Sequence, residues 1–354
     1  MKKVIFTGGG SAGHVTPNLA IMQALDESWD IAYIGSHEGI EKELIEKNAV
    51  RYYGIASGKL RRYMDRKNFT DLFRVAKGFF QARKILKREK PHVVFSKGGF
   101  VTVPVVAAAS SLGIPVHLHE SDFTPGLANR LAKHFAKTFY TSFAETAAYF
   151  PESSTTVVGS PIRPDLFTGT RQQGLHLTHF SRERPTLLVM GGSLGAGKIN
   201  DVIREALDSL TQTYQVIHIC GKGNVDPTLK GKRGYQQYEY VHEDLPHILQ
   251  MTDLVVTRGG SNAIFEFLAL HIPMLIIPLP RSQSRGDQIL NAQSFVKNGY
   301  ASMLEEEYLT TDSLMKEIHS LYDNRQLFIE TMSASSASHA VSRIVEDLQA
   351  RVQT

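Results

Sequence analysis

The sequence predicts an α/β protein made of two Rossmann-like domains, and three observations predict it. Short β-branched runs alternate with amphipathic stretches through residues 1–160, the pattern of a parallel sheet covered on both faces by helices. The same pattern restarts after Gly159-Ser160-Pro161-Ile162-Arg163-Pro164, and each half opens on a strand that runs into a glycine-rich turn and then a helix. A chain of 354 residues is also long for one hydrophobic core and comfortable for two. One extended doubly wound sheet is the competing arrangement, and domain size favours two.

In the first half, strands are expected at 4–7, 31–35, 52–55, 93–96, 116–119 and 138–141, from runs such as Val4-Ile5-Phe6-Thr7 and Val93-Val94-Phe95-Ser96. Helical spacing falls between them, at 17–25, 40–46 and 101–112. In the second half, strands are expected at 186–190, 216–219, 238–241, 254–257 and 274–277. The polar stretch 168–185 has no clear periodicity and, with the two prolines before it, reads as a hinge. From Asn324 onward the chain reads as helix.

A composition of 42% hydrophobic and 21% charged residues is that of an ordinary folded soluble protein. The single cysteine, Cys220, excludes an internal disulfide framework and a cysteine-built metal site, and suits the cytoplasm. Met1-Lys2-Lys3 leads straight into Val4-Ile5-Phe6, too short an apolar run for a signal peptide, and no stretch approaches the ~20 apolar residues of a membrane span. The net charge of +4 is uneven. Residues 1–160 hold 21 Lys+Arg against 14 Asp+Glu, and the remainder holds 18 against 21, so an anionic partner is expected for the first half.

Four glycine turns follow strands. Gly8-Gly9-Gly10-Ser11-Ala12-Gly13-His14 formally satisfies G-x-G-x-x-G, and glycines let a backbone approach an anion at a helix start. A dinucleotide site also needs an acid at the end of the second strand. There the chain reads Gly35-Ser36-His37, with Glu38 later as a helix-start residue, which counts against NAD or FAD. No G-x-x-x-x-G-K-[ST] occurs, since Gly192-Ser193-Leu194-Gly195-Ala196-Gly197-Lys198 runs into Ile199. The other turns are Lys97-Gly98-Gly99-Phe100, Gly191-Gly192-Ser193 and Arg258-Gly259-Gly260-Ser261-Asn262. Any one turn alone is explained by a tight βα connection; the four together suggest a diphosphate and a second anionic ligand beyond the carboxyl ends of the strands.

These motifs resemble the MurG-type N-acetylglucosaminyltransferases. The likeness rests on Thr7–Pro17, Lys97-Gly98-Gly99-Phe100-Val101, His119–Asn129, Gly191–Ala196, Arg258–Ala263 with Glu266, and Asp287-Gln288 with Asn291-Ala292, in the family's order. His119-Glu120-Ser121-Asp122 is similar to the Gram-positive branch. The resemblance implies a GT-B architecture, two Rossmann-like domains facing each other across a cleft. It implies a UDP-N-acetylglucosamine donor, a lipid I acceptor (undecaprenyl-diphospho-muramoylpentapeptide), and lipid II as product, formed with inversion at the anomeric carbon in peptidoglycan synthesis. The implied domains are 1–160 with a C-terminal helix of about 337–354, acceptor-binding and membrane-facing, and 161–336, donor-binding; 333–338 would form the crossing between them.

Matching the family's motifs residue by residue implies that Glu266 holds the ribose hydroxyls. Ser193 and the N–H groups around Ser261, Asn262 and Ala263 take the diphosphate, and Arg163 adds charge beside the hinge or only stiffens its turn. Gln288 with Asp287 reads the sugar hydroxyls, and His242 lies where backbone reads uracil. Ser11, Ala12 and Gly13 border donor and acceptor, with Asn129 at the sugar. His14 is positioned to accept a proton or only to brace its loop, and Glu120 and Asp122 are rival bases, so the base stays open. No cofactor or metal is implied: D-x-D is absent, and leaving-group charge would fall to helix N-termini and Arg163.

Residues 59–90 hold 12 Lys+Arg against 3 acids. Phe69, Leu72, Phe73, Ala76 and Phe80 recur at helical spacing, flanked by Arg74, Lys77, Arg83, Lys84, Lys87 and Arg88. The pattern fits a helix resting on an anionic membrane surface at the cytoplasmic face, or an apolar face packed on its own sheet. No nucleic-acid module is recognisable. The competing functions are transfer to diacylglycerol, epimerisation of UDP-N-acetylglucosamine without an acceptor, and sugar-nucleotide binding without turnover.

Overall fold

The computed structural model describes residues 1–58, 67–192, 195–335 and 339–353. The chain divides into two units, Met1–Arg163 joined by the C-terminal helix Ala340–Gln353, and Pro164–Ser335.

In the first unit the elements alternate as β1 Lys2–Thr7, α1 Thr16–Ala24, β2 Trp29–Ser36, α2 Ile40–Lys47, β3 Arg51–Ile55, α3 Lys67–Glu89, β4 Val93–Ser96, α4 Thr102–Ser111, β5 Val116–Glu120, α5 Leu127–Ala132, β6 Thr138–Thr141 and β7 Thr155–Val157. The seven strands form one parallel sheet in the order β3-β2-β1-β4-β5-β6-β7. Side chains alternate across it. Val4 and Phe6 pack on one face with Leu19 and Met22 of α1 and with Ala340, Ile344 and Leu348 of the C-terminal helix. Ile5 packs on the other with Leu86 of α3 and Val105 of α4. The C-terminal helix is thus part of this unit's core, and Tyr140 clasps it by donating to Asp347 while His117 Nδ1 lies 3.0 Å from the same hydroxyl.

The second unit runs α6 Arg171–Thr178, β8 Thr186–Met190, α7 Gly197–Glu205, α8 Leu207–Thr213, β9 Gln215–Ile219, β10 Tyr235–Tyr238, α9 Leu245–Met251, β11 Leu254–Thr257, α10 Ser261–Ala269, β12 Met274–Ile276, α11 Asp287–Lys297, β13 Ala301–Met303, α12 Thr311–Asp323 and α13 Arg325–Ser333. Its parallel sheet has the order β10-β9-β8-β11-β12-β13. Leu187, Val189, Val216, Val256 and Leu275 bury against Ile199 and Ile203 of α7, Leu210 of α8, and Leu314 and Ile318 of α12.

Three readings of the sequence change. The strand expected at 238–241 sits at 235–238, because pairing with β9 starts directly after Gly234 at positive φ and takes Tyr235 into the core. The stretch 168–185 is not all hinge: Thr170 caps α6 by accepting from Gln173 N–H at 3.3 Å. Its periodicity is hidden by Gly174, where a Cβ would collide with the His247 carbonyl on the neighbouring α9. The short edge strands β7 and β13 were not expected at all. Of the crossing proposed at 333–338, Ser333 ends α13 and 336–338 lie outside the described residues.

The helix α3 has two apolar faces. Ala82 and Leu86 are buried, with Phe79 packed beside them, whereas Leu72, Phe73 and Phe80 are 60%, 76% and 69% exposed. The face singled out from sequence is therefore not the one that packs on the sheet. Residues 59–66 and the side chain of Phe69 lie outside the described residues. Arg83 and Arg88 are partly committed, to Ser111 Oγ at 3.3 Å and to Glu89 at 3.0 Å, while Lys77, Lys84 and Lys87 are exposed.

Candidate active site

Each strand order reverses once, between β1 and β4 and between β8 and β11, and the four glycine turns are the four that flank these two reversals. In open parallel sheets the crevice at such a reversal is where ligands bind.

In the first unit, Thr7 pairs with Ser96 in adjacent strands, so the turns that follow leave side by side. Gly9 N–H donates to Gly98 O at 3.3 Å. At Gly99, with φ of +92°, a Cβ would strike the Gly9 carbonyl, so this approach of two backbones requires glycine. The first turn is braced from beneath. Tyr33 Oη donates to Gly8 O at 2.9 Å, and Asn18 Nδ2 to Thr7 O at 3.2 Å. Glu41, fully buried on the first turn of α2, accepts from Gly10 N–H at 3.2 Å and Ser36 N–H at 3.1 Å. Glu41 thus ties the loop where a dinucleotide-binding domain would offer its acid to a ribose; the helix N-cap is Gly39, and Glu38 lies just outside the helix.

Ala12, Gly13 and His14 form a single 3₁₀ turn entering α1, and Ser11 precedes it. His14 is half-buried, with Nδ1 3.1 Å from Gly9 O and 3.0 Å from Ser11 Oγ. A carbonyl oxygen only accepts, so Nδ1 carries the hydrogen and the neutral ring keeps an unprotonated Nε2. Burial lowers the affinity of this imidazole for a proton, and the Lys97 cation lowers it further, against the opposing pull of Asp122, the Gly9 carbonyl and Glu41.

The turn after β5 is organised by Glu120, which is 5% exposed. One carboxylate oxygen accepts from Ser121 N–H at 2.8 Å and Asp122 N–H at 3.0 Å. The other accepts from Gly126 N–H at 3.1 Å and Asn129 Nδ2 at 2.8 Å. Burial and then Asp122 push its pKa up against these bonds and the Lys97 charge. Four donors leave this carboxylate fixed as a scaffold. Asn129 also donates to His119 O at 3.2 Å and packs under Gly98, so the turns after β4 and β5 are joined. His119 is fully buried with Nε2 3.0 Å from Gly159 O, and its Nδ1 accepts from Lys97 Nζ at 2.9 Å.

In the second unit, Thr257 pairs with Met190 at the reversal. Ser261, Asn262 and Ala263 form the first turn of α10 after the N-cap Gly260, the position whose N–H groups a helix cannot satisfy itself. Glu266 lies one turn further along the same helix. Gln288 Oε1 accepts from Gly259 N–H at 3.2 Å and Leu279 N–H at 3.0 Å, tying α11 to the glycine turn and leaving its amide NH₂ as the group a ligand can meet. Asp287 opens α11 and pairs with Arg285 at 2.7 Å. Arg258, 8% exposed, donates to Ile277 O at 3.1 Å and pairs with the buried Glu306.

Not every expected residue joins these clusters. His242 follows the edge strand β10, which β9 and β8 separate from β11; its carbonyl accepts from Leu245 N–H at 3.2 Å and its ring stacks on Tyr240. Arg163 is half-buried at the end of the first unit, and Ser193 lies outside the described residues. Lys97, Glu41, Arg258 and Glu306 were not singled out as site residues. Lys97 and Arg258 each stand where a charge directly follows a strand of three apolar residues and one hydroxyl residue, Val93–Ser96 and Leu254–Thr257, the signal that would have found them. Among the described residues, no group of three or more His, Cys, Asp or Glu side chains comes together to hold a metal ion.

Residues 4–141 match the glycosyltransferase family 28 N-terminal domain, and residues 186–348 match the family 28 C-terminal domain. The chain is 73% identical over 354 residues, the whole of both chains, to the UDP-N-acetylglucosamine–N-acetylmuramyl-(pentapeptide) pyrophosphoryl-undecaprenol N-acetylglucosamine transferase of Shouchella clausii. It is 53% identical over 349 residues to a transferase of the same name, numbered 2, from Bacillus cereus, covering 98% of this chain and 99% of the other. The fold is similar to crystalline Acinetobacter baumannii MurG, with a TM-score of 0.77, 25% identity and 99% of each chain covered. A putative UDP-N-acetylglucosamine 2-epimerase from Listeria monocytogenes shares the fold alone, at a TM-score of 0.72 and 14% identity, over 99% of this chain and 96% of the other. With both domain matches in order along one chain, on two Rossmann-like sheets of the GT-B class, the protein belongs to glycosyltransferase family 28.

Proposed function

We propose that this chain transfers N-acetylglucosamine from UDP-N-acetylglucosamine to lipid I, forming lipid II with inversion at the sugar's anomeric carbon. The observation that carries the reading is 73% identity over the full length of both chains to an enzyme named for this transfer. In this reading the first unit takes the acceptor and the second the donor. The acceptor hydroxyl loses its proton to His14 Nε2 as its oxygen bonds to the anomeric carbon, and the bond from that carbon to the diphosphate breaks on the opposite side. UDP leaves with the electron pair.

The first-turn N–H groups at Ser261, Asn262 and Ala263 meet the diphosphate, where the positive end of α10 lowers the cost of the departing charge. Arg163 and Ser193 add to the same task. Glu266 accepts from the ribose hydroxyls, and the Gln288 amide and Asp287 address the sugar. The His242 backbone faces uracil. Ser11, Ala12, Gly13 and Asn129 shape the acceptor side. Glu120 acts through the turn it organises, which leaves His14 and Asp122 as the groups able to handle the proton.

The test is transfer of labelled N-acetylglucosamine to a lipid I analogue, to diacylglycerol, and with no acceptor. Transfer to the lipid I analogue alone is expected. Product on diacylglycerol overturns the acceptor assignment, and consumption of the donor without acceptor indicates an epimerase.

Among the described residues no helix is long and apolar enough to cross a membrane. The open face of α3, Leu72, Phe73 and Phe80 beside Lys77, Lys84 and Lys87, fits peripheral binding to an anionic lipid surface on the cytoplasmic side, where a lipid-linked acceptor would be met. Phe73→Glu combined with Phe80→Glu is expected to weaken binding to phosphatidylglycerol vesicles at least ~10-fold, since each phenylalanine is worth roughly 1.5–3 kcal/mol when buried. Sedimentation with vesicles reads this out, and undiminished binding would move the lipid contact away from α3.

A further inference from the structure

Lys97 is 1% exposed, an uncommon place for a lysine. It is the first residue after β4, its N–H donates to Thr7 O at 3.0 Å, and its side chain runs under the turn that follows β5. The ammonium donates to His119 Nδ1 at 2.9 Å and to Ser121 Oγ, both neutral groups. The His119 ring is locked in the accepting tautomer by its other bond, to Gly159 O. A methionine would fill the same volume without the cost of burying a charge, so the charge itself calls for a use.

His14 sits on the adjoining turn: Lys97 N–H donates to Thr7 O at 3.0 Å, the next residue's carbonyl, Gly98 O, accepts from Gly9 N–H at 3.3 Å, and Gly9 O holds His14 Nδ1 at 3.1 Å. Glu41 from α2 and Asp122 from the turn after β5 both favour the imidazolium, as does the Gly9 carbonyl within its own loop; burial and Lys97 favour the neutral ring. Glu120, the remaining charge beside Lys97, is held by four donors.

We propose that Lys97 is a positioning residue whose buried ammonium pins the Glu120–Asp122 turn through Ser121 and keeps His14, on the adjoining turn, neutral. The inference rests on the reading of His14 as the proton acceptor. Removing the cation leaves burial alone to oppose the two carboxylates, so the imidazole binds its proton more tightly. The acid limb of kcat/KM then moves to higher pH.

The test is titration of the His14 ring by ¹⁵N-histidine NMR in the full chain, with the signal assigned by its loss in His14→Asn. In the wild-type protein the midpoint is expected below the usual ~6.5. In Lys97→Met it is expected to rise by about one pH unit, with the acid limb of kcat/KM following. Ser121→Ala, which removes a hydrogen bond and keeps the charge, is expected to leave the midpoint in place. An unchanged midpoint in Lys97→Met overturns the proposal. So does a wild-type midpoint at or above the usual value, which needs no variant to fold. If the midpoint rises while the acid limb stays, the inference about Lys97 is supported and the assignment of His14 as base fails.

Discussion

Replacing His14 with alanine is expected to lower kcat roughly 10²- to 10⁴-fold, the loss associated with removing a general base. The KM for UDP-N-acetylglucosamine is expected to change less than about twofold, because the side chain is needed only as the proton moves. The argument is geometric. Nδ1 is held by the Gly9 carbonyl and the Ser11 hydroxyl, so the ring is fixed in one orientation with its basic nitrogen on the other edge. Glu120, the rival carboxylate, is surrounded by four donors.

Bracing and proton transfer are separable. Asparagine at this position can still donate to Gly9 O while lacking the second ring nitrogen. If bracing is the whole role, His14→Asn recovers most of the activity lost in His14→Ala; if His14 takes the proton, the two variants are equally impaired. Recovery in His14→Asn would shift attention to Asp122, for which Asp122→Asn is the corresponding measurement.

The repeated strand–glycine-turn–helix unit was legible in the sequence because parallel strands buried on both faces are near-continuous apolar runs, and runs such as Thr186–Met190 are visible without any partner. The α6 helix was not, because the glycine that lets it approach α9 also erases its apolar stripe. The strand β10 was displaced for a different reason: Tyr238-Glu239-Tyr240 alternates apolar and polar while Tyr235-Gln236-Gln237-Tyr238 does not, and only pairing with β9 selects the second. The chemistry-bearing motifs were readable as local spacing. Their second halves were not, because Glu41 beneath Gly10, Lys97 beneath Ser121 and Glu306 behind Arg258 are each joined to their partners only by the folded sheet. Glu120 illustrates the gap: its sequence context marks it as a candidate base, and only its four bonds identify it as the organiser of its turn.

The second large effect is expected at Arg258 and Glu306. Both are nearly buried, and the guanidinium that pairs with Glu306 also donates to the Ile277 and Pro278 carbonyls at 3.1 and 3.4 Å. Removing one partner strands a charge out of water, so Arg258→Met or Glu306→Leu alone should each destabilise the fold by about 3–5 kcal/mol, read by urea titration followed by circular dichroism. Replacing both with apolar side chains removes the stranded charge, and the double variant should regain most of that loss. Donor binding should not return with it. Arg258 precedes Gly259-Gly260 and α10, and its bonds hold the chain after β12 beside the same turn that Gln288 ties to α11. Calorimetric titration with UDP should therefore show weakened affinity in the double variant despite its recovered stability. If affinity and stability recover together, the pair serves only to balance its own charges; if neither single variant loses stability, the desolvation argument for this pair fails.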